Sequence, residues 1–130
     1  MRSRPVLPVI LGIVVIAIQA ALNIALAIGA FSVLSTAAPG TEGLAKSQLL
    51  AGTLLAIGII NAVALFLVAR GWGVARFVIL VVGAIIVVLD VAASQLTLGD
   101  FLWAIAMILL FLPVSNRWFG EQAAARKPRP

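Results

Sequence analysis

Four uncharged apolar runs, separated by short polar segments, make up most of the chain, and none shows the wet face of a soluble amphipathic helix or strand. A bilayer core about 30 Å thick takes roughly 20 apolar residues per helix at about 1.5 Å each. The first run, 6–34, is the longest and opens on Pro5 and Pro8, where proline is tolerated. The second, 49–69, is bounded by Lys46 and Arg70; the third, 77–93, follows Arg76 and is interrupted by Asp90. The fourth, 101–114, lies between Asp100 and Arg117. The pattern predicts an all-α fold, a bundle of four transmembrane helices in one domain, residues 1–120, followed by a basic, disordered tail over 121–130.

Two of these runs are decided by magnitude. In the third, twelve Leu, Ile, Val or Phe residues favour insertion by roughly 0.3 to 0.6 kcal/mol each, against a cost of about 2.5 to 3.5 for a central Asp. The fourth has only fourteen residues, about 21 Å of helix, so it ends at Leu112 or continues through a kink at Pro113 to Trp118 and Phe119. Arg2, Arg4 and the small residues Ser35-Thr36-Ala37 echo a signal peptide. The apolar stretch between them is far longer than the roughly 7 to 15 residues of such a segment, which predicts a retained helix.

Composition agrees. Of 130 residues 64% are hydrophobic and 10% charged, with a mean hydropathy of +1.25, more apolar surface than a soluble domain of this size can bury. There is no His, Cys or Tyr, which removes the commonest general base, the thiol nucleophile and the usual soft-metal and haem ligands. No Gly-rich phosphate loop, metal box or nucleophile triad is present. The expectation is a non-enzyme without cofactor or metal.

Eight of the nine basic residues fall on one side of the four spans: Arg2, Arg4, Arg70, Arg76, Arg117, Arg126, Lys127 and Arg129. Lys46 alone, with Glu42 and Asp100, falls on the other. The positive-inside rule then places both termini in the cytoplasm and the loops near Pro39-Gly40 and Leu98-Gly99 outside. Topology thereby accounts for the pI of 11.6, and no nucleic-acid partner is expected. Trp72, Phe77, Trp118 and Phe119 form an inner aromatic belt, and Phe31, Phe101 and Trp103 an outer one.

Helices in lipid associate through close contact and polar pairs. Ala17, Ala21, Ala25 and Gly29 recur every four residues on the first helix, a ridge that suits either packing within the chain or an oligomer seam. Gly52 with Ala56 and Gly58 with Ala62 are shorter versions on the second; Gly83 shares a face with Asp90 on the third. A faint parallel repeat relates Leu65-Phe66-Leu67, with Arg70 and Trp72, to Leu110-Phe111-Leu112, with Arg117 and Trp118.

Polar groups inside the membrane are the candidates for chemistry. Asp90 stands about 21 Å along its helix from Arg76, and Gln19 and Asn23 about 22 and 28 Å from Arg4, so their depths match. Asp90 either titrates at a proton- or cation-linked site, with Gln19 and Asn23 holding substrate or water, or it lies hydrated near the outer headgroups, or it donates as a neutral acid to fix helix packing. Asn61 reads as a helix–helix hydrogen bond and Asp100 as the N-cap of the fourth helix.

The segment Arg70-Gly71-Trp72-Gly73-Val74-Ala75-Arg76 resembles the middle loop of small four-helix membrane proteins common in actinobacterial genomes. Leu112-Pro113-Val114-Ser115-Asn116-Arg117-Trp118-Phe119 resembles the close of their last helix. The resemblance covers the second half of the chain and implies a multi-pass protein of the bacterial plasma membrane; members generally lack an assigned activity, and no catalytic residue carries over. In size and helix count the chain is also similar to small multidrug resistance exporters, which rely on a glutamate in the first helix. Here that helix carries Gln19 and Asn23 instead.

The leading functional expectation is an accessory or assembly subunit whose partners are the bilayer and another membrane protein or a second copy. The alternative is a small oligomeric transporter or channel using Asp90.

Overall fold

A computed structural model describes residues 4–128. They form five helices: α1 (Leu7–Leu34), α2 (Leu44–Ala69), α3 (Gly73–Ala92), α4 (Leu98–Phe111) and α5 (Pro113–Arg126), with no strand among the described residues. Of these, α1, α2 and α3 are each long and apolar enough to cross a membrane. The α4–α5 pair qualifies as a fourth span only when both helices are counted together, and they meet at a bend of 61°.

Backbone chemistry sets the helix ends. Gly71, at φ +81°, lets α2 stop: its N–H donates to Val68 O (2.8 Å) and that of Trp72 to Leu67 O (3.0 Å), the paired bonds of a Schellman turn. This closes the α2–α3 hairpin within Arg70-Gly71-Trp72. The same pattern ends α3, where Gln95 N–H donates to Asp90 O (2.8 Å) and Ser94 takes the left-handed position at φ +54°. Helix α4 begins earlier than its apolar run suggests. Thr97 is its N-cap, and Asp100, which the sequence reading makes the cap, is the third helical residue of a reciprocal box. Its Oδ2 accepts from Thr97 N–H at 2.8 Å, while Thr97 Oγ1 accepts from Asp100 N–H at 3.4 Å. Leu98-Gly99 is therefore the first turn of a helix rather than a loop.

Helices α1 to α4 form a ring in chain order: α1 touches α2 and α4, α3 touches α2 and α4, and the diagonal pairs do not meet. Small residues allow the close approaches. A Cβ on Gly58 would stand 2.7 Å from Ile24 Cγ1, one on Gly12 2.9 Å from Leu110, and one on Gly83 would overlap the Trp103 indole. That indole lies in the Gly83 notch and donates to Ile79 O at 3.1 Å. The core joins Val9, Ile16, Val68, Ile79, Ala106 and Leu110 to Trp118 and Phe119 of α5.

At the α4–α5 elbow the three freed carbonyls find side-chain donors, while Arg76 Nε is buried without a hydrogen-bond partner. Pro113 has no N–H for Leu109 O, and the bend separates Leu110 O and Phe111 O from their usual donors. Ser115 Oγ donates to Leu109 O (2.6 Å), Arg76 Nη1 to Leu110 O (2.9 Å) and Asn116 Nδ2 to Phe111 O (3.1 Å). The Arg76 guanidinium also donates to Asn116 Oδ1 (2.6 Å) and lies against the rings of Phe77, Phe111 and Phe119.

Helix α4 ends at Phe111 with Leu112 as its C-cap, as the shorter reading of the last run has it, and the chain re-enters a helix at Pro113 in a new direction, which that reading does not include. Residues 121–126, read from sequence as disordered, complete α5; Gln122 is buried, and Arg126 donates to Gly71 O and covers the Trp72 ring. What orders them is contact with the α2–α3 turn, which no local pattern announces. Arg2 and Arg129 lie outside the described residues.

Candidate functional site

Opposite the elbow, the ring opens into a cavity of about 460 Å³ whose mostly apolar wall is interrupted by a group of polar side chains. Helix α1 brings Gln19 and Asn23, one turn apart on one face; α3 brings Asp90 in its last turn; the capping box of α4 brings Thr97 and Asp100. Leu22, Ile57 and Ile86 are among the apolar walls, and no Lys or Arg lines the space. The Asp90 and Asp100 side chains both line it.

Two tethers shape the cavity. Gln19 Nε2 donates to Gly99 O at 3.3 Å, joining α1 to the first turn of α4, while Gln19 Oε1 is buried without a hydrogen-bond partner. Asp100 accepts at Oδ2 from Thr97 N–H and Thr97 Oγ1 (3.2 Å), which fixes its carboxylate. Such a site can accept hydrogen bonds and positive charge. Two carboxyl groups with amide and hydroxyl neighbours suit a proton or a small cation, and no group of three or more His, Cys, Asp or Glu side chains able to hold a metal occurs among the described residues.

The structure thus brings together Asp90, Gln19 and Asn23 and adds Thr97 and Asp100 to them. Thr97-x-x-Asp100 was readable in advance as a capping-box pattern; that it would stand beside Asp90 depends on how the α3–α4 turn folds. Asn61 lies elsewhere, 5% exposed on α2, and its Oδ1 has no hydrogen-bond partner, so that oxygen does not supply the helix–helix bond expected of this residue.

The packing residues divide. Gly83 is a contact point, whereas on the α1 ridge Ala17 is half-buried, Ala21, Ala25 and Gly29 are exposed, and nothing lies within 4 Å of a Cβ placed on Gly29. The buried face of α1 is instead Val9, Gly12, Ile16, Ala20 and Ala27. Arg76 has a structural function that topology alone did not suggest. No protein-family model, no characterised protein and no solved structure matches the chain.

Proposed function

We propose that this chain is a four-span protein of the bacterial plasma membrane, with both termini cytoplasmic, and that its outer cavity takes up a proton or small monovalent cation as part of a small transporter or channel. One observation carries the reading: polar side chains from α1, α3 and the α4 cap, dispersed in sequence, meet in one cavity that no cationic side chain neutralises. The test is flux in reconstituted vesicles under an imposed pH or sodium gradient. Wild-type protein should dissipate the gradient and Asp90→Asn should lower the rate at least about tenfold, in the range that loss of a positioned acid–base group gives. Wild-type vesicles no leakier than empty ones, or equal flux from both proteins, would remove the reading.

A second reading, an accessory or assembly subunit, is supported by the open ridge of Ala21, Ala25 and Gly29. Small residues on a membrane helix allow another backbone to approach closely, and among the described residues nothing lies within 4 Å of a Cβ placed on Gly29. Ala25→Cys should then cross-link in native membranes to a second copy or to another membrane protein; a species that stays at monomer size would reject it.

A further inference from the structure

We infer that the α3–α4 side of the bundle seats a bilayer thinned well below its usual thickness, while the α1–α2 side does not. Helix α4 has 14 residues, about 21 Å of rise, against a hydrocarbon core of about 30 Å. Both of its ends are polar and fixed. At one end the Arg76 guanidinium is held by Leu110 O and Asn116 Oδ1; at the other the Asp100 carboxylate is held by the Thr97 cap. Neither group is free to extend along its stem toward a distant headgroup, the usual remedy for a short span.

Helix α3 itself has 20 residues, about 30 Å, but its two charged positions, Arg76 and Asp90, stand only fourteen apart, again about 21 Å. Tilting cannot help, because it shortens the projection of a helix on the membrane normal. The remaining remedy is for the lipid boundary to move to the protein. On the other side α1 and α2 have 28 and 26 residues, about 42 and 39 Å. From Leu26, the last α1 residue lining the cavity that Leu98 also lines, α1 continues for eight residues to Leu34, about 12 Å past the start of α4. Those helices can meet a full-thickness bilayer by tilting. The lipid partner is therefore asymmetric around the molecule, thin where α4 faces it, and this holds whether or not the cavity conducts.

The chain has no cysteine, so single thiols report depth. Leu98→Cys, on a side chain 75% exposed at the start of α4, and Val114→Cys, just beyond its end, mark the two boundaries; Ile105→Cys marks the middle and Ala38→Cys the open water. The probe is a membrane-impermeant maleimide supplied to both faces of phosphatidylcholine vesicles. In short-chain lipid (about 14 carbons), Leu98→Cys and Val114→Cys should both react within about threefold of Ala38→Cys, and Ile105→Cys at least about tenfold more slowly. In long-chain lipid (about 22 carbons), one or both boundary thiols should slow by about tenfold while Ala38→Cys is unchanged.

Boundary thiols as slow as Ile105→Cys in every lipid would overturn the inference, because the ends of α4 would then lie in unthinned hydrocarbon. Fast boundary thiols with no dependence on chain length would overturn it too, pointing to a water-filled cleft or a neighbouring subunit in place of lipid. Because labelling does not require flux, these outcomes are separate from those of the Asp90 test.

Discussion

Arg76 shows how much one side chain in this chain is asked to hold. Its guanidinium replaces a missing backbone donor at Leu110 O, bonds Asn116 and is surrounded by three aromatic rings. A hydrogen bond to a charged group contributes about 1.5 to 3 kcal/mol net, and a buried carbonyl left without a donor costs about 1 to 3. Arg76→Met, which keeps the apolar stem but no donor, should lower unfolding stability in detergent by roughly 3 kcal/mol, with Arg76→Lys in between because an ammonium can replace the two bonds made by Nη1 but not the planar guanidinium that lies against the three rings. Equal stability of Arg76→Met and wild type would show that the elbow does not depend on it. Glycines give a paired comparison. At Gly83 a Cβ would displace the Trp103 indole and its bond to Ile79 O, so Gly83→Ala should cost about 2 kcal/mol by overpacking. At Gly29 there is open space, and Gly29→Ala should be neutral or gain up to about 1 kcal/mol from helix propensity. A loss at Gly29 would mean that a partner occupies the ridge, which a concentration-dependent melt would detect.

Among elements, α5 distinguishes what the sequence states from what only the fold can. The apolar runs of α1, α2 and α3 were legible because lipid imposes a length and a hydropathy that no other environment does. Their ends were less so: α2 starts at Leu44 with Lys46 in its first turns, and α3 starts at Gly73 with Arg76 inside it. Capping and long side chains, rather than the last apolar residue, decide where a helix stops. In α5 the apolar content is low, and the order arises from Trp118, Phe119 and Gln122 entering the bundle and from Arg126 bonding the α2–α3 turn. The cavity was half legible for a related reason. Matching depth placed Gln19 and Asn23 beside Asp90, but the ring order that brings Asp100 there is a property of all four helices. If docking of α5 supplies its order, Trp118→Ala, which empties a site only 3% exposed, should cost about 3 kcal/mol or more. It should also expose the chain beyond Phe119 to proteolysis, while Pro113→Ala should shift stability by under about 1.5 kcal/mol because Ser115, Arg76 and Asn116 already satisfy the break. Wild-type resistance to protease in Trp118→Ala would show that α5 is held by something other than that burial.

Across the whole molecule, charge and polarity sort to opposite ends of the ring. Among the described residues, Arg4, Arg70, Arg76, Arg117, Arg126 and Lys127 lie around the elbow and the α2–α3 turn, whereas Glu42, Asp90 and Asp100 lie at the far end with Lys46 as the one cation there. The elbow strengthens the asymmetry, because it turns α5 by 61° from the axis of α4 and leaves Asn116, Arg117 and Glu121 exposed on its outer face. A helix with such a face belongs in water. Loop cations near membrane spans are retained on the cytoplasmic side, so the elbow end should be cytoplasmic and the cavity should open outward. In the cysteine-free chain, Ala38→Cys should react with an impermeant maleimide in intact cells, and Ala123→Cys, on the exposed face of α5, only after lysis. The reverse pattern would turn the molecule over and place the carboxylates on the cytoplasmic side. Reaction of both thiols in intact cells would require an even number of crossings between them, so that α2 and α3 span and α4 does not. The measurement therefore reads orientation and crossing number together, and the direction assigned to the cavity depends on both.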